Sequence, residues 1–194
     1  MKILSIILII VLILFVVSQI WAQSQVSDIE TYPYRVDKAY DGFEVRTYER
    51  ANFIYVTMDA KTYAEGSSRG FRTLAGYIFG GNERQQKIAM TSPVVMDMDN
   101  EVTMKFLVPA QYKLDELPKP ESAEVRFATE KERTVAAITF GGFANDEKIL
   151  EHKDELFQYL AAFGIEHTGQ WSFLGYDPPF KLIGRKNEVV VELP

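Results

Sequence analysis

Apolar and polar positions alternate most cleanly over 53–58 and 102–108. In the first stretch Ile54, Val56 and Met58 share one face, and Phe53, Tyr55 and Thr57 the other. In the second, Val102, Met104, Phe106 and Val108 oppose Thr103, Lys105 and Leu107. A period of two marks strands with one side on a core, as in an antiparallel sheet. Between them the period becomes helical: Phe71, Leu74, Ala75 and Ile78 stand at i, i+3, i+4 and i+7 within a helix predicted at 63–79. Gly80-Gly81 ends it, because glycine readily takes the left-handed conformation past a helix end. A second helix is predicted over 146–163, with Asn145 or Asp146 as N-cap and Gly164 beyond its end. Ile149, Leu156, Leu160 and Phe163 form its buried stripe, and Glu147, Glu151 and Glu155 fall on solvated turns. Pro118 and Pro120 make 109–121 a connector, since proline lacks a backbone donor.

These elements repeat at a spacing of about 80 to 87 residues. Glu44-Val45-Arg46 returns as Glu124-Val125-Arg126, and each copy leads into a β-rich run, at 53–58 and at 134–140, and then a helix. Runs at 101–109 and 188–194 close the two halves, and both end in proline. The pattern predicts an α+β domain of two βαβ-type halves, about 31–109 and 121–194, with roughly eight strands and two helices. One sheet face meets the helices, and the junction of the halves makes a cleft of the kind that often holds small molecules.

The chain before this domain reads differently. Lys2 is followed by an unbroken apolar run over 6–17, and a small residue stands at Ala22. Residues 1–23 therefore fit either a secretory signal cleaved between Ala22 and Gln23 or an uncleaved membrane anchor, and 24–194 is the domain. With Lys2 inside and Asp28 and Glu30 outside, both readings place the domain beyond the cytoplasm, periplasmic or anchored facing outward. The net charge of −6 disfavours nucleic acid as a partner. The absence of cysteine excludes a disulfide framework, a thiolate nucleophile and Cys-ligated metal. No nucleophile elbow, phosphate loop, dinucleotide fingerprint or His-Glu-x-x-His occurs. Glu44, Glu124 and Glu188 are candidates for a general-acid pair, although strand glutamates beside arginine more often form ion pairs.

The segment Lys87-Ile88-Ala89-Met90-Thr91-Ser92-Pro93-Val94 resembles the signature of the SOUL/haem-binding-protein family. Val45-Arg46-x-Tyr48, Tyr176-Asp177-Pro178-Pro179-Phe180 and Arg185-Lys186-Asn187-Glu188-Val189 are similar to further elements of it, in order, across about residues 31–194. The resemblance implies a distorted antiparallel β-barrel flanked by two helices, a duplicated module related to the ligand-binding domains of bacterial multidrug regulators. It implies non-covalent binding of haem or another tetrapyrrole in a hydrophobic cleft beside the first helix, in a carrier, buffering or scavenging role. Apolar edges for such a ligand are available at Leu74, Tyr77, Ile78, Met90, Met96, Tyr176 and Phe180, and Arg69, Arg72 and Lys87 can meet propionates. The only histidines are His152, on the charged face of the second helix, and His167, in a loop and the weak candidate for iron. Two other functions are kept open: hydrolysis of a small lipophilic compound by a cleft glutamate, as in relatives with the regulator-type fold, and a non-catalytic interaction module.

Overall fold

The computed structural model describes residues 2–27, 29–99 and 101–194. Helix α1 (Lys2–Ser27) precedes β1 (Tyr34–Ala39), β2 (Glu44–Tyr48), β3 (Ala51–Met58), α2 (Tyr63–Ile78), β4 (Val94–Met98) and β5 (Val102–Leu107). A short 3-10 turn at Leu114–Glu116 leads to β6 (Arg126–Glu130), β7 (Arg133–Gly141), α3 (Asp146–Phe163), β8 (Trp171–Gly175) and β9 (Lys186–Glu192). The order strand-strand-helix-strand-strand thus occurs twice, from β2 to β5 and from β6 to β9. All strands join one nine-stranded sheet, ordered β1-β2-β7-β9-β8-β4-β5-β3-β6, and every pairing is antiparallel. The count exceeds the expected eight because β1 extends the edge beside β2.

The first strand of each repeat pairs within the other half: Arg46 on β2 lies opposite Val135 on β7, and Phe127 on β6 opposite Ile54 on β3. Only residues 49–50 link β2 to β3, yet these strands lie near opposite flanks of the sheet. A two-residue link reaches about 11 Å at most. The sheet must therefore curl until its flanks meet. Tyr32 fills that meeting point, its ring 4.4 Å from Tyr48 on β2 and 5.1 Å from Phe53 on β3.

Curling changes what the alternation means. Ile54, Val56, Met58, Val102, Met104 and Phe106 enter a core beneath the helices, as their shared faces predict. The opposite face is also buried: Phe53, Leu107, Tyr32, Tyr48, Val135 and Val190 form a second core there.

Helix α2 lies on β3 and β5, and α3 on β7 and β9. Thr62 caps α2 by accepting from the Glu65 amide, and Asn145 caps α3 by accepting from Lys148. Gly164, at φ 65°, ends α3 in the left-handed conformation. The seam of α2 differs from the predicted stripe. A Cβ on Gly70 would stand 2.8 Å from Met58 Cε and 3.1 Å from Met104 Cβ, and one on Gly66 2.9 Å from Val102 Cγ1. Glycines let the helix settle onto the sheet, so Tyr77 turns inward while Phe71 stays partly exposed, its ring 5.5 Å from Phe106. Phe163 is also half-exposed, leaning on Tyr40 and Phe43.

In α1 the apolar side chains from Leu4 to Val17 are exposed. The helix meets the domain where Trp21 lies 5.9 Å from Phe180, and where Gln19 Oε1 accepts from the Leu182 amide at 2.9 Å. Among the described residues no helix is long and apolar enough to cross a membrane. The side chains of Lys2, Ala22 and Gln23, and the whole of Asp28, lie outside the described residues.

Candidate functional site

The segment 82–94 carries the chain from the end of α2 to β4. Asn82, fully buried, donates to the carbonyls of Tyr77 (3.1 Å) and Gln86 (2.7 Å) and accepts from the amides of Arg84 and Gln86. Ile88 is buried and its amide donates to Ile78 at 2.8 Å. Thr91 Oγ1 donates to the Leu107 carbonyl at 2.7 Å. Ser92, which precedes a cis peptide to Pro93, bonds the backbone of Glu30 and Tyr32, and its hydroxyl donates to the Tyr176 carbonyl. The Thr-Ser-Pro portion is therefore an internal clasp between the first half, the N-terminal segment and the second half. Its polar groups point at protein.

Where this segment passes under α2 there is a cavity of about 10 Å³, lined by Tyr77, Ile78, Ile88, Phe106 and Leu117 among others. That holds about one water and no flat ring. Leu74, Tyr77, Ile78 and Met96 are buried in the helix-side core. Tyr77 Oη donates to the Pro118 carbonyl at 2.9 Å, and burial pushes its pKa up to about 12. Met90 stands half-buried at the rim, and Lys87 is exposed.

The outer surface of α2 offers something different. Arg69 is tied to Glu124 at 2.7 Å. Arg72 is exposed and makes no ion pair among the described residues. One turn further, a Cβ on Gly76 would meet nothing within 4 Å, and Phe79 beyond it is exposed. Arg72, Gly76 and Phe79, at i, i+4 and i+7, form an outward strip with a cation at one end, an aromatic ring at the other and no side chain between. Sequence reasoning named Arg72 but passed over Gly76 and Phe79. Their helical spacing was the available signal, and it was spent on the buried face.

The other proposed contacts lie elsewhere. Tyr176 packs on the opposite core, and Phe180 sits in the loop beside α1. Tyr176 belongs to an ionic cluster centred on Glu188, which is 0% exposed. One carboxylate oxygen accepts from Arg46 Nη1 (2.9 Å) and Tyr176 Oη (2.6 Å), and the other from Thr139 Oγ1 (3.1 Å) and Lys186 Nζ (3.0 Å). Arg46, itself buried, also donates to Glu44 at 2.8 Å and stacks 4.4 Å over Tyr34. Burial opposes the charge on Glu188, but Arg46, Tyr176 and Lys186 outweigh it and hold the carboxyl below its usual range. Burial, reinforced by Glu188, raises the pKa of Tyr176 and pushes Tyr48 up to about 12. Glu44 and Glu188 thus share an arginine, while Glu124 lies apart on Arg69. A carboxylate with both oxygens bonded and no exposure is poorly placed to act on a substrate.

At the opposite strand ends is a wider cavity of about 470 Å³, lined by Asp97, Lys105, Glu130, Arg133, Trp171 and Glu192 among others. Its charges answer one another: Lys105 pairs with Glu130 and, at 2.7 Å, with Asp97, and Arg133 lies between Glu130 and Glu192. That lining suits no flat apolar ring. Both histidines use Nδ1 within their own element or loop and set the ring against a phenylalanine. His152 Nδ1 lies 2.7 Å from the Lys148 carbonyl with the ring stacked on Phe140, and His167 Nδ1 accepts from the Gly169 amide with the ring on Phe157. No group of three metal-binding side chains occurs among the described residues.

Comparison with known proteins adds the following. A family model described as SOUL heme-binding protein matches residues 29–192. Heme-binding protein 1 of Xenopus tropicalis is 32% identical over 155 residues, covering 76% of this chain and 81% of that protein. Heme-binding protein 2 of Homo sapiens is 28% identical, covering 76% of each. Among solved structures, the EcmrR C-terminal domain superposes with a TM-score of 0.62 at 9% identity, covering 83% of this chain and 98% of that one. A hydrolase from Listeria innocua gives 0.57 at 10% identity, covering 89% and 96%. At such identities the structural likeness concerns the fold alone.

Proposed function

Since the chain belongs to the SOUL heme-binding protein family, we propose that it binds haem or a related tetrapyrrole without catalysis, as a carrier or buffer. The strip of Arg72, Gly76 and Phe79 on α2 carries this reading. A flat macrocycle can lie over the bare backbone at Gly76 against the Phe79 ring, with a propionate on the Arg72 guanidinium, whose planar fork suits a carboxylate. The buried positions Leu74, Tyr77, Ile78 and Met96 support the helix from beneath. The residues fit a ring held by its face and its carboxylates, a mode that needs no axial ligand from the protein. Such binding is reversible, as carriage requires.

Location belongs to the same proposal. The domain is held outside the cytoplasm by α1 acting as an uncleaved membrane segment. Trp21 and Gln19 support this choice over a cleaved signal, because cutting after Ala22 would discard both contacts with the 180–182 loop.

Haemin titration tests the ligand. Saturable one-to-one binding with a shifted Soret band is expected. Arg72→Ala should weaken protoporphyrin binding about tenfold or more, the equivalent of one charge-assisted contact of about 1.5 kcal/mol or more, and leave its dimethyl ester unaffected. Equal loss for both ligands, or none for either, removes the strip from the site.

A further inference from the structure

The loop 177–185 inverts the usual arrangement of a surface loop. Its charged side chains bond mainly within it. Lys181 is buried, and its ammonium bonds Asp177 Oδ1 at 2.7 Å; Asp177 Oδ2 accepts from the Lys186 amide at 2.6 Å. The Arg185 guanidinium donates to the carbonyls of Pro178 (2.6 Å), Lys181 (2.8 Å) and Asp177 (3.0 Å). The same guanidinium lies 4.4 Å over Phe143, which is exposed alongside. Meanwhile the large apolar side chains point outward: Phe180 is 48% exposed, Leu182 47% and Ile183 63%. A pinned loop that turns its ions inward and its apolar groups outward is shaped to enter an apolar medium.

The neighbouring element says which medium. The loop touches α1 at Phe180 and Leu182, and α1 exposes an apolar surface from Leu4 to Val17. A helix apolar all round belongs in a bilayer or a core. Trp21, at the junction, has the amphipathic ring characteristic of the membrane–water boundary. The patch on the loop is thus continuous with the exposed apolar surface of α1.

We propose that the 180–183 tip, with Phe143 beside it, seats in the interfacial layer of the bilayer and fixes the orientation of the domain on the membrane. This rests on the reading of α1 as a membrane segment, given above. It orients the sheet so that the charged mouth lined by Lys131 and Glu132, at the opposite strand ends, faces away from the lipid.

The lack of cysteine makes the test direct. The full chain, reconstituted in phosphatidylcholine vesicles, is labelled with an environment-sensitive fluorophore through Ile183→Cys, Val11→Cys or Lys131→Cys, one at a time. A blue-shifted emission and loss of intensity to spin-labelled lipids is expected at positions 183 and 11, and neither at 131. An unquenched, water-like probe at 183 with a quenched probe at 11 overturns the seating and leaves the anchor standing. An unquenched probe at 11 overturns the anchor and the seating with it. A blue shift at 183 without lipid quenching places the tip against protein, which also overturns the proposal.

Discussion

The two halves share an order of elements but use their charged residues in opposite ways. In the first half, α2 carries its arginines outward, Arg69 on Glu124 and Arg72 without an ion pair among the described residues. In the second, β9 carries Glu188 into the interior, where Arg46, Tyr176, Thr139 and Lys186 surround it. Water solvates an unpaired surface cation cheaply, so Arg72 is free to meet a ligand. A buried carboxylate has no such alternative and persists only with its partners in place. Arg46 comes from β2, the strand exchanged into the second half. The ionic cluster therefore locks the exchange between repeats, and the first half is left to present a surface.

The sharpest way to break that contrast is Glu188→Leu. It leaves the buried Arg46 with Glu44 as its one carboxylate and removes the acceptor shared by Tyr176, Thr139 and Lys186, and it should cost about 3–5 kcal/mol in denaturant unfolding. Arg46→Leu combined with Glu188→Leu should recover much of this, because neither charge is then left alone against the other. A double variant as unstable as Glu188→Leu alone would show that the pairing of these two is not what matters. Acid should weaken the same point. The Glu188 carboxyl is held below its ordinary value of 4.5 in the folded protein. Its contribution is therefore complete above about pH 4.5 and is lost as the pH falls through the folded value. Glu188→Gln should flatten the acid limb of a stability–pH curve. Alkali acts with the opposite sign. Tyr32, Tyr48 and Tyr77 are raised from 10 to about 12, chiefly by burial, so their contribution is intact below pH 10 and disappears toward 12. Absorbance of tyrosinate should show this late class, and an early titration of all tyrosines would contradict it.

Much of the scaffold was legible in the sequence because it follows from period and punctuation. The alternation at 53–58 and 102–108 placed Ile54, Met104 and their neighbours on the correct face, and Asn145 and Gly164 bounded α3 as capping chemistry requires. What local pattern does not carry is the exchange of β2 and β6 between halves, since pairing partners are set by the curl of the whole sheet. The second core escaped for the same reason. Phe53 and Leu107 read as an outer face until the flanks met over them. The proposed ligand strip was legible only in part. Arg72 could be named from its charge, but a glycine offers no side chain to notice, and Gly76, open to solvent, looks in sequence like Gly66 and Gly70, which seat the helix on the sheet.

Those glycines give the finest test of the contrast, this time within α2. Gly70→Ala should destabilise: the new methyl collides with the end of Met58, which can yield, and with Met104 Cβ, which cannot. Overpacking costs typically 1–3 kcal/mol, only partly offset by the roughly 1 kcal/mol that alanine gains in a helix. Gly76→Ala should stabilise by up to about 1 kcal/mol, because its methyl meets nothing and the propensity gain is unopposed. The consequence for binding runs the other way. If the macrocycle lies on bare backbone between Arg72 and Phe79, a methyl at position 76 lifts it off that surface and haemin affinity falls while stability rises. A merely structural helix face would show the gain in stability alone. Affinity unchanged in Gly76→Ala, with Arg72→Ala still selective for free propionates, would keep the arginine in the site and move the ring off the strip.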